Sequence, residues 1–158
     1  MIKIHCVNTK TSKTFPEGTT LMDMLPSFGF DKPYQVLCAK VNNVSQGLKY
    51  RAFNSRQVEF LDYTSYLGRS VYCNSLCFLL CKAARDIFPA CRVILRRPIS
   101  KGYFCSIDKG DGTEMSAGDL TLIKERMTAL VEADIPFRRH EVLLEEAIEI
   151  FRKLGYDD

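Results

Sequence analysis

The chain has 158 residues and a mass of 18.0 kDa, enough for one domain or two small ones around a buried core. Hydrophobic residues make up 46% and charged residues 26%, the balance of an ordinary soluble protein. No apolar run approaches the roughly 20 residues that span a bilayer, so no membrane partner is expected, and a net charge of +3 permits a polyanionic partner without arguing for one. The opening MIKIHCVNTK has no continuous apolar stretch and does not read as a secretory signal. Seven cysteines, an odd number, mostly beside large apolar residues, point to a reducing cytoplasm and to buried thiols acting as small hydrophobes.

MIKIHCVN alternates with period two and predicts a strand with Ile2, Ile4 and Cys6 on one face. TKTSKT turns the chain into a second strand closed by Phe15. Thr19 or Thr20 can cap a short helix from Leu21, which Pro26 ends or bends. QVLCAKVNN reads as a buried strand with a turn at Asn42 and Asn43, VSQGLKY as an edge piece, and RQVEFLDYT as another strand. Ser65, Gly68 and Ser70 mark a plausible boundary. Beyond it the pattern predicts a helix over 71–87, a strand at CRVILRRP ended by Pro98, and a strand at GYFCSID. SAGD at 116–119 has the form of a capping box, ahead of an amphipathic helix broken at Pro136. FRRHEV is predicted as a short strand, and LLEEAIEIFRKLG as a last helix with Gly155 at its end. The second half is thus expected in the order α-β-β-α-β-α, and the whole as α+β.

Two stretches go beyond pattern. FPEGTTLMDML, AKVNN and VEFLD resemble the TGS domain, a ubiquitin-like β-grasp module at the front of threonyl-tRNA synthetases and some GTPases. SLCFLLCKAARDIFPACRVILRRPISKGYFCSID resembles the segment that follows the TGS domain in threonyl-tRNA synthetase, its editing domain; Phe88-Pro89, Gly102-Tyr103-Phe104 and Asp108 carry the match. The resemblance implies a TGS-like domain over 1–63 and an incomplete synthetase-like second domain over 64–158. The same pair stands ahead of a P-loop domain in bacterial uridine-kinase-like nucleoside kinases, and RQVEFLDYTS, SLCFLLCKA and PISKGYFC are most similar to that group. The implied function is a non-catalytic N-terminal module of such a kinase, regulating it or recruiting RNA or nucleotide. The kinase domain in cis would be its partner, and that domain would hold ATP and magnesium. The other implied reading is a degenerate or free-standing editing hydrolase.

In the synthetase, an HxxxH pair on this helix and a later CxxxH form the site that removes mischarged serine. With Phe88-Pro89 fixing the register, the histidine positions fall on Asn74 and Phe78; with one inserted residue they fall on Cys73 and Cys77. The first register needs no gap in a helix. Neither keeps a histidine, and phenylalanine can neither ligate a metal nor act as a base. Cys73 and Cys77 share a helix face, with Cys81 about 80° further round. Zinc needs three or four ligands, however, His5 and His140 lie apart, and there is no CxxC, so no metal site is expected. The expectation is a packed helix face; Cys73, near the predicted helix start, is the one place for a lowered thiol pKa.

No GxxxxGK[ST] is present, so the chain itself is not expected to phosphorylate anything, and KGDGTEM reads as a turn. Arg92, Arg96, Arg97 and Lys101 form a basic cluster near Tyr103 and Phe104; the pattern fits an ordinary solvated edge with buried aromatics, and it is also the composition of a single-stranded RNA contact. Arg138, Arg139 and His140 make a weaker patch, and the acids show no paired arrangement for acid–base work.

Overall fold

The computed structural model describes residues 1–29, 34–99 and 102–155. It is α+β, and its main sheet is mixed. Strands β1 (Ile2–Cys6), β2 (Thr11–Phe15), β4 (Val36–Val41), β5 (Val44–Gly47) and β7 (Arg56–Asp62) form that sheet in the order β2-β1-β7-β4-β5. β1 runs parallel to β7; the other pairs are antiparallel. The alternation of β1 puts Ile2, Ile4 and Cys6 inside as predicted, with Val58 and Phe60 of β7 beside them in one core. β4 and β5 are joined through Asn42 and Asn43, both at positive φ, the two-residue hairpin turn that asparagine tolerates. A two-strand ladder of β3 (Thr19–Thr20) and β6 (Arg51–Ala52), absent from the sequence pattern, ties down the entry to the first helix.

That helix, α1 (Leu21–Met24), is capped by Thr20, whose hydroxyl accepts from the Asp23 N–H at 3.2 Å. Leu21 and Met24 are fully buried on the sheet. Pro26 ends the α-helical hydrogen bonding as expected, and a 3-10 turn over Leu25–Phe28 follows, where a proline in the first turn loses no bond.

The predicted boundary is a tight junction. Ser65 caps α2 (Tyr66–Ile87): its Oγ accepts from the Gly68 N–H at 3.0 Å and donates to the Asp62 carbonyl at 2.8 Å. A Cβ on Gly68 would lie 1.9 Å from that carbonyl oxygen, so glycine lets the first turn of α2 close onto the end of β7. Tyr63 packs edge-on against Tyr34 and Tyr72, with the Arg69 guanidinium 5.6 Å from its ring centre.

The second half holds α2, the hairpin of β8 (Arg92–Ile99) and β9 (Gly102–Asp108), α3 (Ala117–Glu132) and α4 (Leu144–Lys153). Its smaller core is Ala83, Ala84, Cys91, Ile123 and Leu130, where α2 packs on α3. The capping box forms in both directions between Ser116 and Asp119. Three expectations fail. Helix α2 starts five residues before Val71, because Ser65 supplies a cap the pattern did not weigh. Pro98 does not end β8: the pairing runs on to Ile99, with an irregularity between Leu95 and Pro98, as a two-stranded ribbon permits. FRRHEV forms no strand; residues 137–143 carry no ladder, so the observed order is α-β-β-α-α. Helix α3 stops at Glu132, before Pro136, with Asp134 at φ 46°. Among the described residues, no helix is long and apolar enough to cross a membrane.

Candidate functional site

Helix α2 turns one face toward the β8–β9 hairpin. Asn74, Cys77, Phe78 and Cys81, spaced i, i+3, i+4 and i+7, line the helix side of a cleft of about 390 Å³. Leu95, Arg96 and Tyr103 line the hairpin side. Of the positions raised by the two registers, Asn74, Cys77 and Phe78 meet in the cleft, and Cys73 is not among its lining residues. The earlier start of α2 also sets Cys73 seven residues inside the helix. That removes the helix-terminus argument for an activated thiol there.

The lining carries a side-chain amide, a guanidinium, a phenol, an exposed phenyl ring and two thiols. Among the described residues it holds no carboxylate and no imidazole, so none of these is suited to take a proton from water near neutral pH. The thiols do not fill that gap. Burial pushes the Cys77 thiol up, and the neighbouring Cys105 and Cys73 push it further. Cys81 is raised by burial, then by Cys77, Cys105 and Cys91, against a smaller lowering by Arg85. Both therefore stay protonated near neutral pH, poor as nucleophiles and as metal ligands. Among the described residues, no three or more His, Cys, Asp or Glu side chains are placed to hold a metal ion.

The expectation of mostly buried thiols needs correction on this face. Cys6, Cys38 and Cys91 are buried, whereas Cys73, Cys77, Cys81 and Cys105 are only half-buried. For Cys77 and Cys81 the reason is the cleft, where the two-stranded hairpin leaves part of the helix face uncovered.

The basic cluster divides. Arg96 lines the cleft, while Arg92 pairs in register with Asp108 and lines a different cavity beside Arg85, Pro89 and Leu154. Four residues of strand separate the two arginines by about 13 Å. Lys101 and the side chain of Arg97 lie outside the described residues. Of the weaker patch, Arg138 lines an apolar groove of about 330 Å³ on the other side of Phe78, and Arg139 pairs with Glu141 at 2.6 Å. Phe78 forms the wall between cleft and groove and meets Phe137 at a ring separation of 5.6 Å. Sequence reasoning missed this contact because it placed Phe137 in a strand; the apolar run Ile135-Pro136-Phe137 was the available signal.

The glycines of KGDGTEM, Gly110 and Gly112, both have positive φ and turn the chain from β9 into α3. Asp108 accepts from the Gly110 N–H at 2.9 Å, and Asp111 from the Thr113 N–H at 2.9 Å. Carboxylates thus occupy two of this loop's backbone donors, for which a phosphate would have to compete.

No protein-family model matches the chain. It is similar along nearly its whole length to threonine–tRNA ligases. The ligase of Desulforamulus reducens is 29% identical over 153 residues, which is 97% of this chain and 24% of the ligase. That of Azobacteroides pseudotrichonymphae is 26% identical over 155 residues, 98% of this chain and 24% of the ligase. That of Pelodictyon phaeoclathratiforme is 28% identical over 145 residues, 92% of this chain and 22% of the ligase. The chain spans about a quarter of the length of the curated relatives it matches.

Proposed function

We propose that the chain is a synthetase-related binding module that holds RNA or a nucleotide in the α2–hairpin cleft without hydrolysing it. The observation that carries this reading is the make-up of the cleft. Arg96 offers a forked cation for phosphate, Tyr103 and Phe78 offer exposed rings for stacking, and Asn74 offers a paired donor and acceptor for a base edge. No group in the lining activates water. The similarity to ligases that act with tRNA supports RNA as the ligand class.

On this reading residues 1–63 are a TGS-type β-grasp domain, and 64–158 belong to a synthetase-like second domain. Two separate hydrophobic cores and a mixed sheet with parallel β1 and β7 support the division. The parent is a uridine-kinase-like nucleoside kinase, on the resemblance of RQVEFLDYTS and PISKGYFC. ATP and magnesium would then be held by its kinase domain.

The test is fluorescence anisotropy of a labelled tRNA transcript with the full chain in low salt. Binding is expected, and Arg96→Gln should weaken it about tenfold and flatten the dependence on salt. If neither tRNA nor nucleotides bind, the reading is wrong. The similarity to threonine–tRNA ligases favours one competing reading, an editing hydrolase working through Cys77. That reading requires deacylation of seryl-tRNA, lost in Cys77→Ala; no turnover by the unmutated protein ends it.

A further inference from the structure

The main sheet has a second face that the cleft does not use. With Ile2, Ile4 and Cys6 inside, Lys3 and His5 stand on the outer side of β1. His5 is in register with Ser12 on β2 and with Gln57 on β7. Its Nδ1 lies 3.1 Å from the Ser12 hydroxyl. The Ser55 hydroxyl accepts from the Lys3 N–H at 3.0 Å, so the approach to β7 is fastened to β1. Together with Arg56 at the start of β7, these side chains line a shallow cavity of about 310 Å³.

Its chemistry is one-sided. Two permanent cations and an imidazole stand among hydroxyls and amides, and among the described residues no carboxylate lines the cavity. Among the described residues, neither Lys3 nor Arg56 makes an ion pair, whereas Lys40 on the same sheet pairs with Glu59 at 3.5 Å. Two like charges on one concave surface repel each other, and an anion between them reverses the sign of that energy. Among the described residues no aromatic or apolar side chain lines the cavity, so none of them offers a surface on which a base can stack. A ligand recognised here is recognised by its charge and its oxygen acceptors, which is how proteins hold a nucleic-acid backbone.

We propose that the outer face of the β2-β1-β7 sheet is a phosphate-binding surface for the sugar–phosphate backbone of the RNA proposed for the cleft. Lys3 and Arg56 supply the charge; His5, Ser12, Ser55 and Gln57 supply hydrogen-bond donors to phosphate oxygens. The inference rests on the RNA reading above for the identity of the ligand, but on a different set of residues.

The two are separated by comparing the full chain with Lys3→Gln/Arg56→Gln and with Arg96→Gln, each titrated with labelled tRNA transcript across a range of salt. The double variant, whose changes lie outside both cores, is first checked for an unaltered melting curve. It should bind about tenfold more weakly, with a salt slope shallower by about one to two. His5 and His140 are the two histidines of the chain, and of the two only His5 stands on this sheet face, so its ring resonances in a histidine-selective spectrum probe the site. His5 should shift when tRNA is added. If the double variant keeps full affinity and slope while Arg96→Gln weakens binding, the sheet surface is overturned and the cleft reading stands. The reverse pattern overturns the cleft and leaves the surface. No binding by the unmutated chain overturns both. If inorganic triphosphate moves His5 and tRNA does not, the ligand is a free phosphate compound and the RNA assignment is overturned.

Discussion

The two halves of the molecule solve the same packing problem with different success. In the first, a five-stranded sheet receives one short helix, and Ile4, Leu21, Met24, Val58 and Phe60 are sealed from water. In the second, three longer helices accompany a two-stranded hairpin, and the fully buried core is built largely of small side chains: Ala83, Ala84 and Cys91 beside Ile123 and Leu130. Leu79, Leu80, Phe88, Val93 and Ile107 pack against it only partly buried, and other large apolar residues stay outside. Phe78 is 62% exposed, Leu143 and Leu144 about three-quarters, and α4 buries no residue although Leu144, Ile148 and Phe151 form a stripe. A sheet covers a face about as wide as its strand number, whereas a helix covers a stripe. Two strands cannot close three helices. The open surface that results contains the cleft and the groove on either side of Phe78, so the binding capacity of the second half follows from the incompleteness of its packing.

The sharpest way to break this contrast is to truncate one phenylalanine in each half. Phe60→Ala empties a site fully enclosed by the sheet and α1 and is expected to cost about 3–5 kcal/mol in chemical denaturation. Phe78→Ala removes a ring that is mostly in water and touches Phe137, and should cost less than about 1 kcal/mol while weakening ligand binding in the cleft. Equal losses would mean that Phe78 is a core residue and that the second half is not open.

Next in size is the junction. In an open helix Gly→Ala gains up to about 1 kcal/mol from propensity. At Gly68 the added methyl would meet the Asp62 carbonyl at 1.9 Å, and backbone cannot move aside cheaply. Gly68→Ala is therefore expected to destabilise by about 1–3 kcal/mol, read as a lower melting temperature. A neutral or stabilising result would show that the start of α2 is not held against β7 and that the halves are joined loosely.

These two sites also show what the sequence made legible. Strand alternation located Ile2, Ile4 and Cys6, and the capping signals located the starts of α1 and α3, because each is a local rule whose outcome the neighbours enforce. Gly68 was read as a loosening residue because its use depends on a carbonyl six residues earlier that only the fold brings close. FRRHEV has the composition of a strand but no partner strand to pair with, and pairing is a non-local property. Asn74, Cys77 and Phe78 are legible from the resemblance, Cys81 from helix spacing, and Arg96 and Tyr103 from the basic and aromatic composition, but Leu95 and the assembly of these residues into one cleft are not. The division of Arg92 from Arg96 depends on the length of β8, and the roles of Phe137 and of the Lys3–Arg56 surface depend on contacts between elements distant in sequence.

The smallest effect tests whether the second half, though open, is locally well made. Ser116→Ala removes one arm of the capping box on α3 and should cost about 1 kcal/mol. The other arm gives a pH signature. The Asp119 carboxylate accepts from the Ser116 N–H at 2.9 Å and meets Lys109 Nζ at 3.0 Å. The Ser116 N–H, then Lys109, then the Ser116 hydroxyl hold its pKa down at about 2. An aspartate in an unfolded chain titrates near 3.9, so the folded value is the lower one. The folded state thus binds fewer protons, and the contribution is present in full above about pH 4 and lost as pH falls from 4 through 2. Asp119→Asn should flatten the acid limb of the stability profile in that window, most clearly at low salt where Lys109 is least screened. If the acid limb keeps its shape in Asp119→Asn, the box does not hold α3 in solution, and the second half is loose at its best-defined helix start as well as at its exposed faces.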